Sequence, residues 1–208
     1  MYFGGITPQK PQRYTEDGSF RAEVRSAKSN HLKLDKSICM RCNDTLSAPY
    51  DRAWDILYAY LAKNWPSILR RRKIDLRRVF PNLCQQNARH VQLYFVKLFG
   101  CVAHAQGLPI DFASLARCIL YDAACPEIAL AVCNDDQSPV GRKLAHCSPI
   151  HAWGFEGSDE VDGTVWMYGL SPVMMKVFYR SYGSTLRPIN NVWHPLGSLE
   201  NVPVNMGL

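Results

Sequence analysis

Long apolar runs are missing from this 208-residue chain. No stretch approaches the roughly 18 consecutive apolar residues that a membrane helix needs, so no spanning helix is expected. The opening M-Y-F-G-G-I-T-P-Q-K-P-Q-R has no basic start followed by an apolar block, so no secretory signal peptide is expected either. Both absences point to a soluble protein of the cytoplasm. Gly-rich phosphate loops and G-x-S-x-G turns are also lacking, and no small-molecule substrate is inferred. There is no internal repeat and no low-complexity tract.

Acidic residues are scarce in the first half. Residues 1–100 hold 18 Lys and Arg against 8 Asp and Glu, a balance of +10, whereas residues 101–208 hold 6 against 10, a balance of −4. Such asymmetry points to an anionic partner for the first half, nucleic acid being the common one.

The chain is 47% hydrophobic, enough to bury one sizeable core. Three segments follow from the pattern. Residues 1–37 read as a basic extended arm. Residues 38–125 hold a cysteine knuckle and three helices. Residues 126–208 read as an antiparallel β part that forms one compact domain with 38–125. The fold class is α+β.

The first helix opens at Ser47 as N-cap, with Pro49 in its first turn and Asp51 complementing the dipole. Ala53, Ile56, Leu57, Tyr60 and Leu61 repeat at helical spacing, and Asn64-Trp65-Pro66 is expected to end the helix. A basic strip follows: Arg70, Arg71, Arg72, Lys73, Arg77 and Arg78 place six cations in nine residues. Ile74 and Leu76 alternate within it and suggest a short strand. Such a strip suits phosphate contacts, and Arg21, Arg25, Lys28 and Lys33 of the arm extend the set.

A second helix is expected over about 87–106, with Val91, Tyr94, Phe95, Leu98, Phe99 and Val102 as its core face. Asp111 caps a third. His90 and His104 read as structural. After Pro126 the period changes to 2. Strands are expected at 128–133, on both sides of the acidic turn 157–163, and over V-M-M-K-V-F-Y-R, with Trp193 and His194 anchoring the tail. His146, Cys147 and His151 form no dyad by adjacency, because neighbours on a strand face opposite ways.

Eight cysteines are present, at 39, 42, 84, 101, 118, 125, 133 and 147. Cys101, Cys118 and Cys125 lie in or beside helical patterns and read as small buried hydrophobes. Only Cys39 and Cys42 have ligand spacing. A Cys-x-x-Cys turn can point two thiolates at one tetrahedral zinc, so zinc is the candidate cofactor there; a structural zinc takes four ligands, and the alternative is two thiols left where a zinc was lost. Cys84, His31 and His90 are candidates to complete the set.

The run I-C-M-R-C-N-D-T-L-S-A-P-Y-D-R-A-W-D over residues 38–55 resembles the second half of the treble-clef site in HNH endonuclease-like proteins of phages and mobile elements. The resemblance implies a degenerate treble-clef-like knuckle and a bacterial host cell. In that family an upstream Cys-x-x-Cys supplies two more zinc ligands, and a His in an acid-His or His-His context activates water beside a divalent metal. No cysteine precedes Cys39 here, and the one early histidine, His31 in S-N-H-L-K, has no such context. The expectation is therefore a binding protein, with DNA as the expected nucleic acid, that has lost catalysis. Two alternatives stay open. One is an active HNH-type endonuclease with His31 as base and Mg or Mn as cofactor. The other is a protein-binding regulator that inhibits a host nucleic-acid-handling defence complex.

Overall fold

The apolar face of one long helix organises the molecule. In the computed structural model, which describes residues 12–16, 19–24, 38–134, 145–154, 161–184 and 190–206, helix α3 (Cys84–Ala105) is buried at every position from His90 to Phe99. A helix that is buried nearly all round needs partners on several sides. Helix α1 (Ala48–Arg71) packs on one side and the β-sheet on another.

By contacts the chain divides into two compact units, Met1–Ser37 and Ile38–Leu208. In the first, β1 (Gln12–Glu16) and β2 (Ser19–Val24) pair as an antiparallel hairpin with a bulge beside Tyr14. In the second, a helical turn over Arg41–Leu46 leads through Ser47 into α1. The strand β3 (Lys73–Ile74), the one-turn helix α2 (Leu76–Val79), α3 and α4 (Phe112–Leu120) follow. The remaining strands are β4 (Ile128–Asn134), β5 (Ala145–Cys147), β6 (His151–Trp153), β7 (Gly163–Leu170), β8 (Val173–Arg180) and β9 (Val202–Asn205).

The sheet order is β3-β9-β4-β8-β7-β5, with β6 also on β7. Strands β5 and β6 pair with opposite ends of β7, so seven strand segments fill six positions. The α+β class expected from sequence is borne out. The sheet is mixed rather than wholly antiparallel, because β9 runs parallel to β4. Sequence missed β9 because V-P-V-N carries a proline, which cannot donate to a ladder. Pairing there is accordingly short, with two residue pairs on each side.

Register explains which face is buried. Ile128 pairs with Tyr179, Leu130 with Val177 and Val132 with Met175, and all six join the main core with the helices. Trp54 of α1 stacks on Tyr94 of α3 at 5.5 Å and meets Tyr168 of β7 edge-on at 6.2 Å. Phe99 stacks on Tyr179 at 5.8 Å. These contacts join both long helices to the sheet.

Helix α1 does not stop at Pro66 but runs on to Arg71. Proline removes its own N–H and its ring crowds the carbonyl four residues back, and burial of Trp65 and Ile68 on the helix's inner face outweighs that cost. The Asn64 side-chain amide donates to Tyr60 O, one turn back, at 2.8 Å. The helix ends instead at Arg72, in the left-handed conformation (φ 53°, ψ 26°), whose N–H donates to Ile68 O. Ser47 stands at the expected N-cap, yet its hydroxyl does not cap the helix. It donates to Asn43 O and accepts from Lys97 Nζ at 2.9 Å. No helix among the described residues is long and apolar enough to cross a membrane.

Candidate nucleic-acid interface

The left-handed turn at Arg72 is what gathers the basic strip. It reverses the chain from the end of α1 into β3, where Lys73 pairs with Pro203 and Ile74 with Val202 of β9. Val204 N–H donates to Arg72 O at 3.0 Å and fixes the turn from the other side. Buried Ile74 and Leu76 hold this segment on the core, and the cations on either side of them, Arg70–Lys73 and Arg77–Arg78, are exposed. Asp75 then caps α2, accepting from Arg77 N–H at 3.1 Å.

The result is an open groove of about 410 Å³, lined by Tyr60, Asn64 and Ser67 of α1, by Arg71, Lys73, Arg77 and Arg78, and by Glu200 and Asn201. All six strip cations are exposed. They are not equivalent. Arg77 meets Glu200 at 2.7 Å and Asp75 at 3.4 Å, and Arg78 meets Asp75 at 3.6 Å. Lys73 Nζ donates to Asn201 Oδ1 at 3.2 Å. Arg70, Arg71 and Arg72 make no ion pair among the described residues. Two carboxylates thus offset part of the charge of six cations. Partial burial works to raise the Asp75 carboxyl, but hydrogen bonds from Arg77 and the charges of Arg77 and Arg78 outweigh it and hold it below the ordinary carboxylate range. Arg70 and Arg71 also lie in the last turn of α1, where cations favour the helix dipole.

The other expected site residues fall elsewhere. Arg21 lies in β2 of the first unit, at the bulge between the pairs Tyr14–Ala22 and Thr15–Phe20. Arg25, Lys28, Lys33 and His31 lie outside the described residues. Cys39 is exposed and Cys42 half-buried, with Cys42 N–H donating to Cys39 Sγ at 3.3 Å. That bond, the Cys42 thiol and neighbouring Arg41 favour thiolate at Cys39, while the hydrogen bond to Cys39 raises Cys42. No third ligand joins this pair among the described residues. Cys84 is half-buried at the start of α3. His90 is held by Asp122 at 3.1 Å and packs beside Tyr50, as a structural histidine would. Cys147 Sγ accepts from Trp166 Nε1 at 3.2 Å, and burial of the thiol raises it despite that bond.

One group that could hold a metal ion does converge among the described residues: Cys118, Cys125 and Glu127. Both cysteines are buried, as expected from the sequence, and they also face a common carboxylate, which the sequence does not show. Burial, foremost, and the proximity of Cys118 and Glu127 push the Cys125 thiol well above its ordinary value. The only sequence signal was the spacing of Cys118, Cys125 and Glu127 across a loop, which is too loose to single out.

No protein-family model, curated protein or solved structure matches the chain.

Proposed function

We propose that the protein binds nucleic acid through the groove at the end of α1. The carrying observation is that Arg71, Lys73, Arg77 and Arg78 line one groove while Arg70, Arg71 and Arg72 keep no ion-pair partner among the described residues. Exposed guanidinium groups that meet phosphates displace the counterions condensed on the nucleic acid, which drives binding without base recognition. The charge asymmetry of the chain supports the same reading and extends it to Arg21, Arg25, Lys28 and Lys33 as further phosphate contacts. DNA is the nucleic acid proposed. Residence in the cytoplasm of a bacterial host, and descent from an HNH-like nuclease without its catalysis, rest on the resemblance of residues 38–55.

Fluorescence anisotropy with duplex and single-stranded oligonucleotides over a salt series tests the reading. Arg71→Gln/Arg72→Gln should weaken binding about tenfold and lower the salt slope by about 2. Unchanged affinity and slope would overturn it and favour an acidic protein partner. Plasmid nicking with magnesium or manganese, abolished by His31→Ala, would overturn the absence of catalysis.

A further inference from the structure

Cys118 sits in the last turn of α4, and Cys125 and Glu127 lie on the connection from α4 to β4. The two sulfurs and a carboxylate oxygen all fall within 4.8 Å of one another, and Cys125 Sγ is 3.3 Å from Glu127 Oε2. A tetrahedral zinc with sulfur at about 2.3 Å and carboxylate oxygen at about 2.1 Å separates such atoms by roughly 3.6–3.8 Å. The three donors are therefore gathered to within about 1 Å of the spacing a zinc ion would impose.

The surroundings fix these ligands from behind. Gln92, wholly buried on α3, accepts from Cys125 N–H at 2.9 Å and donates to Cys125 O at 2.8 Å and Ile128 O at 2.6 Å. Leu196 N–H donates to His194 Nδ1, so the ring proton lies on Nε2, which donates to Cys125 O at 3.0 Å. Ser114 Oγ donates to Glu127 Oε1 at 2.7 Å, and Arg180 N–H donates to Glu127 O at 2.9 Å. A carboxylate oriented by a hydroxyl on its far oxygen is the outer-shell arrangement that metal ligands commonly have. None of these bonds uses the sulfurs; the Cys125 thiol donates to Glu127 Oε2, and the Cys118 thiol makes only a long contact, 4.0 Å, to Ala124 O.

We propose that Cys118, Cys125 and Glu127 form a zinc site with three protein ligands and one open position. Two thiolates and one carboxylate suit zinc. Calcium and magnesium take oxygen ligands, and copper(I) favours thiolates without a carboxylate. On binding, zinc replaces the two thiol protons, which pass to solvent, and no electrons are transferred. The site is separate from the basic groove and stands or falls independently of it.

Titration of the reduced, metal-stripped protein with cobalt(II), followed by competition with zinc(II), tests the site. Cys39 and Cys42 are a second thiol pair, so variants must separate the two. The expected result is one cobalt per chain, with thiolate-to-cobalt charge transfer and visible bands of tetrahedral intensity, lost on adding zinc. These bands should persist in Cys39→Ser/Cys42→Ser and vanish in Cys118→Ser/Cys125→Ser. Glu127→Gln should shift the visible bands and weaken cobalt binding at least tenfold, no less than the loss of an outer-shell partner costs. As a readout independent of any variant, zinc should protect Cys118 and Cys125 of the wild-type chain from alkylation, mapped by mass spectrometry. Absence of a thiolate–cobalt band in the wild type, bands that follow Cys39 and Cys42 instead, or unprotected Cys118 and Cys125 in saturating zinc would each overturn the proposal.

Discussion

Lys97 of α3 and Asp51 of α1 form a 2.6 Å ion pair whose ammonium is almost fully buried and also donates to Ser47 Oγ at 2.9 Å. Asp51 is 39% exposed, so the pair lies at the edge of the core with one partner still wet. It fastens the start of α1 to the middle of α3. Removing the ammonium leaves Ser47, which is fully buried, without its donor. Lys97→Met should cost about 2 kcal/mol in urea denaturation. In an Asp51→Asn background the same change should cost less, and equal costs in both backgrounds would show that the pair contributes nothing.

Gln92 serves three backbone groups of the segment 125–128 with one side chain. Leucine of similar volume would leave Cys125 N–H and Ile128 O buried without that partner. Gln92→Leu should destabilise by about 3 kcal/mol, as unsatisfied buried polar groups do. Hydrogen exchange at Cys125 should accelerate more than at Phe99. Uniform acceleration at both sites would place the effect in global stability instead.

Gly163 is required by packing rather than by a special dihedral. A Cβ there would lie 2.7 Å from Trp153 Nε1 and 2.8 Å from two ring carbons. The indole of β6 therefore lies against the first residue of β7, its partner in the ladder. Gly163→Ala should cost about 2 kcal/mol through overpacking and change the near-ultraviolet circular dichroism. In a Trp153→Ala background it should be close to neutral. A full cost in that background would refute the packing account.

Arg72 separates stability from binding. It is a non-glycine residue with φ 53°, at the place where helices commonly end on glycine. Arg72→Gly should raise stability by about 0.5 kcal/mol by relieving the left-handed conformation. The same substitution should weaken nucleic-acid binding and lower its salt slope by about 1. Anisotropy and thermal unfolding on one preparation measure both, and loss of stability would contradict the strain argument.

Burial, the largest effect, raises the Tyr168 hydroxyl from 10.0 to about 12, partly countered by its hydrogen bond with Tyr94. A group raised on folding contributes stability that is complete below its unfolded value and lost as pH rises through the folded one. Stability should therefore fall between pH 10 and about 12. Tyr168→Phe should flatten that decline, followed by denaturation midpoints and tyrosinate absorbance. An unchanged slope would exclude Tyr168 as a source.

The α+β class, the three longer helices and four of the strands were legible because each depends on local periodicity. Val91, Tyr94, Phe95, Leu98 and Phe99 announce a buried helix face, and Ile128, Leu130 and Val132 a strand. The clustering of six cations between residues 70 and 78 is likewise written in the chain, as is the lack of any cysteine before Cys39. Other features depend on residues far apart in sequence. Pro66 failed to stop α1 because burial of Trp65 and Ile68 outweighs the missing hydrogen bond and the crowding of the preceding turn. Strand β9 exists because Val202 and Val204 are buried between β3 and β4, despite the intervening proline. Cys118, Cys125 and Glu127 converge because Gln92, 33 positions before Cys125, fixes the loop that carries two of them. Sequence determined which segments carry apolar faces and charge. Tertiary structure decided which cations keep partners and which thiols meet, because both depend on distances that only packing sets.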